Sequence, residues 1–228
     1  MNDDALQTEA APESPVIPLP RTAEVAAYLA ARMCHDFISP ASAIVSGLDL
    51  LDDPSAEDMR EDAMNLISGS ARKLADLLAF TRVAFGASAS SETFDPRELN
   101  KLAAGLFGHM RAELDWKVDA PTLNKTAART ILNLAQLAGG ALPTGGTASV
   151  RAVEEAGHLA VVIEAKGPRA RLRPEVIAGL EGRPMGEGLH GHWVQAYYIA
   201  LFLEDAGGKI FSKVDEEGVV FAATLPLS

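Results

Sequence analysis

The stretch Ala31-Arg-Met-Cys-His35-Asp-Phe-Ile-Ser-Pro40 decides the fold, because it sets a histidine on the outer side of a long helical pattern. The apolar residues around it recur at steps of three and four, which predicts an amphipathic helix. They are Ala30, Met33, Phe37, Ala41, Ile44, Leu48 and Leu51. His35 lies two positions from both Met33 and Phe37, about 160° around the helix from each. We therefore expect His35 to face solvent.

Two long helices are predicted between residues 21 and 87. The first runs from about Thr22 to Leu51, and Asp52-Asp53-Pro54-Ser55 ends it. Ser55 is the expected cap of the second helix, which repeats the apolar stripe. Two helices of about 30 residues joined by a short turn form an antiparallel hairpin.

A two-helix hairpin with one apolar stripe per helix cannot enclose a core alone. The simplest source of a second hairpin is another copy of the chain, which predicts a homodimer built on a four-helix bundle. The same stripes could instead pack on the rest of the chain. The pattern does not choose between these two arrangements.

Composition narrows the class of protein. The 228 residues are 48% apolar, enough for one large domain or two small ones, and two small domains are favoured. The chain has neither an apolar run of 18 residues nor a charged and apolar leader, so we expect a soluble cytoplasmic protein. The net charge of −11 argues against nucleic acid or an anionic membrane as a partner, and any partner is expected to be a protein.

Metal and disulfide chemistry find little support in the sequence. Cys34 is the only cysteine, which excludes an intrachain disulfide and a multi-cysteine metal cluster. Its neighbour His35 diverges from it by about 100° on a helix, a poor geometry for chelation. The other histidines have no metal-ligand spacing and are expected at the surface or in a lid. They are His109, His158, His190 and His192.

The rest of the chain shows a different periodicity. Residues 1–20 are polar and acidic and are expected to form a flexible tail, and 87–91 form a linker of small residues. From residue 92 to 228, helical segments alternate with four strands of alternating pattern, which predicts an α/β sandwich. The fold class is therefore α+β, a helical hairpin followed by a sandwich.

This order of elements resembles the dimerisation and ATPase halves of a bacterial sensor histidine kinase, over nearly the whole chain after residue 21. The run His35-Asp36-Phe37-Ile38-Ser39-Pro40 is similar to the phosphoacceptor box, in which an acidic residue follows the histidine. Gly186-Glu-Gly188-Leu-His-Gly191, Ala206–Ile210 and Gly218–Pro226 resemble the glycine lid and closing hairpin of the ATPase. A GxGxxG-like string alone is weak evidence for this family. It is stronger evidence here because it follows a phosphoacceptor-like helix in the order found in the kinases.

Two nucleotide-binding positions depart from the kinase pattern. In the family's box Asn-Leu-x-x-Asn-Ala the second asparagine holds the nucleotide-bound magnesium, whereas this chain has Asn133-Leu-Ala-Gln-Leu137-Ala138. A leucine offers no oxygen to a hard cation. In the next box, Asp-x-Gly-x-Gly, the adenine-reading aspartate is Ala165 and the second glycine is Arg169. The resemblance implies a degenerate Bergerat ATPase fold that does not bind ATP.

A kinase-like scaffold that keeps the histidine and loses ATP is similar to the dimeric histidine phosphotransferases of bacterial phosphorelays. The resemblance implies that His35 accepts a phosphoryl group from the receiver aspartate of a hybrid histidine kinase (CckA-like). It then passes the group to the receiver aspartate of a response regulator (CtrA-like or CpdR-like). No cofactor is expected in this chain, and Mg²⁺ is expected on the partner's receiver domain.

Three residues carry the predicted chemistry. The imidazole of His35 is the nucleophile, and Asp36 orients the ring and accepts its proton. Arg32, one turn before His35, contributes positive charge to the moving phosphoryl group. Each helper also has a plainer interpretation: Arg32 as the solvated partner of a nearby carboxylate, and Asp36 as an acid of the helix surface.

Receiver docking is predicted at two places. Ile38, Ser39 and Ala43 lie beside or beyond His35 on the same helix. Arg169, Arg171 and Arg173 stand where a kinase has a nucleotide loop and could steer an acidic receiver face, although a solvated loop is the alternative.

Two other functions remain open at this point. The chain could be a divergent kinase that binds ATP through the backbone and its remaining glycines. It could also be a non-catalytic module that sequesters receivers, with His35 incidental.

Overall fold

The computed structural model describes residues 19–86, 93–184 and 190–227. Most of the predicted tail, the linker 87–91 and the glycines of the lid at positions 186 and 188 lie outside these ranges.

The predicted helical hairpin is present. Helix α1 spans Thr22–Asp52 and continues through Pro40. A 3₁₀ helix, Pro54–Met59, joins it to α2, Arg60–Ala84. The prediction of Ser55 as the cap of the second helix is wrong. Asp53 caps the 3₁₀ helix and accepts a hydrogen bond from the Ser55 backbone N–H over 2.8 Å, and the N-cap residue of α2 is Met59, which makes no side-chain capping bond. Proline after Asp53 favours a tight turn before the second helix begins.

The two helices approach closely at Gly47. A Cβ atom there would lie 2.6 Å from Ile67 Cγ1 and 3.1 Å from the carbonyl oxygen of Ala63. Ala63 on the facing helix is itself only 1% exposed. A pair of small residues therefore sets the distance between α1 and α2.

The C-terminal part is a sandwich of helices on one face of a mixed sheet. The strands are β1 Thr93–Phe94, β2 Ala112–Val118, β3 Leu123–Asn124, β4 Gly146–Glu155, β5 His158–Lys166, β6 Lys209–Asp215 and β7 Gly218–Pro226. The helices are α3 Pro96–Phe107, α4 Lys125–Gly140, α5 Pro174–Leu180 and α6 His190–Asp205. The main sheet has the order β2-β4-β5-β7-β6, in which β2 and β4 are parallel and the other pairs antiparallel.

Alternation along the central strands separates a buried face from an open face. Val150, Ile163 and Phe221 are fully buried beneath the helices. On the opposite face Val153 and Phe211 are 55% and 63% exposed. The predicted strands and long helices are confirmed, whereas β1, β3 and α5 are too short to give a periodic signal.

In the described residues, the buried side chains that join the hairpin to the sandwich lie at one end of the hairpin, which we call the base, residues 22–37 and 73–84. From α2, the buried side chains of Leu77, Phe80 and Val83 join the core of the sandwich. From α1, Val25 packs with Trp193 and other residues of α6. The remaining part, residues 38–72, is the tip.

The tip leaves many apolar side chains exposed. Ile38 is 63% exposed, Val45 56%, Leu48 48% and Met64 52%. The α+β fold class, with long N-terminal helices and a C-terminal α/β sandwich, is confirmed, and the dimeric bundle stays a prediction. Within the residues described, no helix combines the length and apolarity needed to cross a membrane.

Candidate functional site

His35 lies on the exposed side of α1, as its spacing predicted, with 84% of its side chain accessible. Its Nδ1 is 3.3 Å from Oδ1 of Asp36. A carboxylate at neutral pH only accepts hydrogen bonds, so this contact places the ring proton on Nδ1. The lone pair of Nε2 then faces away from the carboxylate and has no hydrogen-bond partner among the described residues.

Arg32 holds the other oxygen of the Asp36 carboxylate. Its Nε donates to Asp36 Oδ2 over 2.9 Å, a pairing that the four-residue spacing on α1 makes possible. The two side chains are only 20% and 28% exposed, which protects the pair from solvent. Among the interpretations of Arg32, the partner of a nearby carboxylate is the one that the geometry matches.

The same guanidinium connects α1 to the first turn of α6. Nη1 of Arg32 donates to the carbonyl oxygen of Gly191 over 3.1 Å and lies 3.3 Å from Nδ1 of His192. Arginine has no acceptor, so Nδ1 of His192 must accept this hydrogen bond. The sequence predicted His192 only as a surface or lid residue. In the structure it also contacts Arg32 and so belongs to the site around His35.

Burial lowers the pKa of His192 below its ordinary value, and the positive charges of Arg32 and Arg173 lower it further. Glu175 and Asp36 act in the opposite direction but do not overcome these effects. A lowered pKa keeps the ring neutral, which is the form that can accept from Arg32.

A cleft of about 300 Å³ opens beside His35 between α1 and the start of α6. Its lining includes Tyr28, Ala31, Arg32, His35, Asp36, Gly191 and His192. The arrangement combines an exposed nucleophile, a carboxylate that orients it and a cation close by, which suits attack on an electrophilic phosphorus.

A second, smaller cleft of about 120 Å³ shares Arg32 and His192 with the first. Arg171 and Arg173 contribute to its wall, together with Leu137. The structure thus brings these two arginines to the vicinity of Arg32. Arg169 does not line either cleft and is exposed, with a φ of 60°.

The predicted docking residues on α1 are placed as follows. Ile38 and Ser39 are exposed, one turn from His35. Ala43 is half-buried in the tip. Ile38 and Ser39 therefore offer a small surface next to the imidazole, with Ile38 as its apolar side chain, and Ala43 lies about two turns from His35.

Asn133 and Ala165, at positions of the kinase nucleotide-binding boxes, are buried inside the protein. Asn133 is fully buried, and its Nδ2 donates to the carbonyl oxygens of Ala84 and Arg129 over 2.9 and 3.0 Å. Its Oδ1 accepts from Gln195 over 3.3 Å. Ala165 is fully buried. In the described parts of the chain, no cluster of three or more His, Cys, Asp or Glu side chains could hold a metal ion.

Sequence reasoning missed Gly191 and His192 as parts of the site. They are about 160 positions from Arg32, and no spacing rule links residues that meet only through tertiary packing. The available signal was the position of His192 at the start of a helix that follows a glycine-rich segment.

Comparison with known proteins gives consistent matches. The family model described as "Histidine phosphotransferase C-terminal domain" matches residues 96–218. The Protein phosphotransferase ChpT of Brucella abortus (strain 2308) is 36% identical over 201 residues, covering 88% of this chain and 95% of that protein. A solved structure of a bacterial phosphotransferase is 33% identical with a TM-score of 0.81, covering 92% of this chain and all of the other. The chain belongs to the histidine phosphotransferase family.

Proposed function

We propose that this chain is a histidine phosphotransferase of a multistep phosphorelay and that His35 carries the phosphoryl group. The single observation that supports this most strongly is an exposed imidazole whose Nδ1 faces a carboxylate and whose Nε2 has no partner in the described part of the chain. The relative ChpT is named a protein phosphotransferase, which agrees with this chemistry.

The transfer step begins with Nε2 of His35 attacking the phosphorus of a receiver's phosphoaspartate. An N–P bond forms, the P–O bond of the acyl phosphate breaks, and the receiver aspartate leaves as a carboxylate. The ring keeps its Nδ1 proton and gains positive charge, which the Asp36 carboxylate stabilises through the existing contact. Transfer to a second receiver reverses these bond changes and returns a neutral ring.

Arg32 acts mainly by holding Asp36. Its Nε lies against Asp36 Oδ2, and its Nη1 points to α6, so both ends of the guanidinium have partners. The charge needed around the moving phosphoryl group would then come chiefly from the receiver, whose bound Mg²⁺ would supply Lewis-acid chemistry.

We further propose that the chain does not use ATP. Leu137 lines the second cleft where a magnesium-binding asparagine stands in the kinases that the sequence resembles. The amide of Asn133 is already engaged by Ala84, Arg129 and Gln195. Neither position has an oxygen available for a nucleotide-bound metal ion.

The proposed partners are two receiver domains, one on a hybrid histidine kinase and one on a response regulator. Ile38 and Ser39 would contact a receiver beside the phosphoryl group. The guanidinium groups of Arg171 and Arg173 have no hydrogen-bond or ion-pair partner in the described residues, which leaves them available to an acidic face.

A homodimer is part of the same proposal. Exposed apolar side chains on the tip, among them Val45 and Leu48, form a face that a second hairpin would cover. Pairing the two tips into a four-helix bundle leaves both bases, and both His35 side chains, accessible to receivers.

The test is a phosphoryl-transfer assay with the purified chain and with His35→Ala. Each protein is mixed either with labelled ATP or with a labelled, phosphorylated hybrid-kinase receiver. We expect acid-labile label on the wild type from the receiver only, and none on His35→Ala.

The matched control is His158→Ala, which removes an exposed histidine on β5 and should accept label at the wild-type rate. Label arriving directly from ATP would mean that the chain is a kinase. Label on His35→Ala would exclude His35 as the carrier.

A further inference from the structure

We propose that His192 is a positioning residue for phosphoryl transfer, through which the C-terminal sandwich holds Arg32 and Asp36 in place against His35. This inference rests on the proposed function of His35. It deepens that proposal by giving the sandwich a part in the phosphoacceptor site itself.

Four side chains form a continuous series of contacts. Nδ1 of His192 lies 3.3 Å from Nη1 of Arg32, and Nε of Arg32 lies 2.9 Å from Oδ2 of Asp36. Oδ1 of Asp36 lies 3.3 Å from Nδ1 of His35. Each contact has one permitted direction, because arginine only donates and a carboxylate only accepts. For neutral rings, these contacts place the proton on Nδ1 of His35 and on Nε2 of His192.

Arg32 would be poorly held without its contacts to α6. Its long side chain has many rotamers, and the ion pair with Asp36 lies within a single helix, where such pairs hold a side chain only weakly. The contacts to Gly191 and His192 fix the far end of the guanidinium from another part of the chain. Asp36 is then presented to His35 in one orientation.

The role requires His192 to be neutral. The charged groups that face it are Arg32 and Asp36 from α1, and Arg173 and Glu175 from the start of α5. Burial and the two arginines favour the neutral ring. A protonated His192 would place a second cation against Arg32 and could no longer accept its hydrogen bond.

The experiment compares His192→Leu with His192→Asn in the full-length chain. Leucine has a similar size but no acceptor, whereas Asn Oδ1 is the same number of bonds from Cα as Nδ1 of histidine. The first measurement is the rate of label transfer from a phosphorylated receiver. The second is the tautomer of His35, obtained from ¹⁵N chemical shifts of the imidazole without any transfer.

We expect His192→Leu to slow transfer about tenfold, because misplaced helpers reduce the rate of an oriented reaction. The Nδ1–H tautomer of His35 should lose population in the same variant. His192→Asn should keep most of the wild-type rate and tautomer. The control His158→Leu, on an exposed strand end, should change neither quantity.

Two results would overturn the proposal: a wild-type rate and tautomer in His192→Leu, or equal losses in His192→Leu and His192→Asn. The second result would indicate a packing role. Failure of the proposed function has a different signature, since label would then persist on His35→Ala while the tautomer measurement remained interpretable.

Discussion

The base and the tip of the hairpin share one helical pattern but differ in what covers it. In the base, Phe80 and Leu77 are buried against the sandwich, and Val25 packs on α6. In the tip, Val45 and Leu48 are about half exposed, at 56% and 48%. One chain therefore buries this pattern at the base, whereas apolar side chains of the tip stay exposed.

The tip gives the largest expected effect. Replacing both Val45 and Leu48 with glutamate would place four unpaired carboxylates in the symmetric interface of a dimer, at a cost of several kcal/mol. We expect light scattering to report half the wild-type mass, with the helical circular dichroism preserved.

The control for this experiment is Val153→Glu, an exposed valine on the open face of the sheet. It should leave the mass unchanged. A double variant that keeps the wild-type mass would show that the tip is not the dimer interface.

Substitutions in the base should change the free energy of unfolding rather than the mass of the particle in solution. Phe80 is 1% exposed, and Phe80→Ala should lower the free energy of unfolding by about 3–5 kcal/mol, through lost burial and a residual cavity. Leu78→Ala, two residues earlier and 49% exposed, should change it by less than about 0.5 kcal/mol. Urea denaturation of both variants measures the difference, and similar losses would contradict the assignment of the base as core.

Two glycines within the tip provide a smaller and more selective comparison. Gly47→Ala would bring its Cβ to 2.6 Å from Ile67 Cγ1 and should destabilise the hairpin by about 1 kcal/mol. A Cβ at Gly69 on α2 meets nothing within 4 Å, so Gly69→Ala should stabilise by up to about 1 kcal/mol through helix propensity. Thermal denaturation measures whether each substitution raises or lowers the stability. If both substitutions changed the stability in the same direction, the close approach at Gly47 would be refuted.

The smallest expected effect is a dependence of the free energy of unfolding on pH, caused by His192, which contacts the base of the hairpin through Arg32. The pKa of His192 is lower in the folded chain than its unfolded value of about 6.5, so the unfolded state binds more protons. The stabilising contribution is fully present above about pH 6.5 and is lost as pH falls through the lowered folded pKa.

Wild type should therefore lose stability on acidification relative to His192→Asn, which has no proton to bind at this position. Paired urea titrations between neutral and acidic pH measure this difference, while substitutions in the tip should leave it unchanged. A constant difference across the range would contradict the lowered pKa.

Sequence periodicity was sufficient for the hairpin and for the exposure of His35, because both depend on residues three or four positions apart. The strands were predicted for the same reason, since their alternation is local. The contact from Arg32 to His192 could not be predicted in this way, because it joins α1 to α6 across the whole fold. The role of Asp53 as a cap was missed because several short polar residues in the turn compete for that position.

The hydrogen bond from Asn133 to Ala84 has a consequence for recognition. This bond connects the last turn of α2 to α4. Arg129, also on α4, donates to the carbonyl oxygen of Gly86, two residues after the end of α2. With the shared core, these bonds set the separation between His35 and the arginines of the second cleft. A protein that contacts both places must match that separation, so recognition can depend on distance as well as on side-chain chemistry.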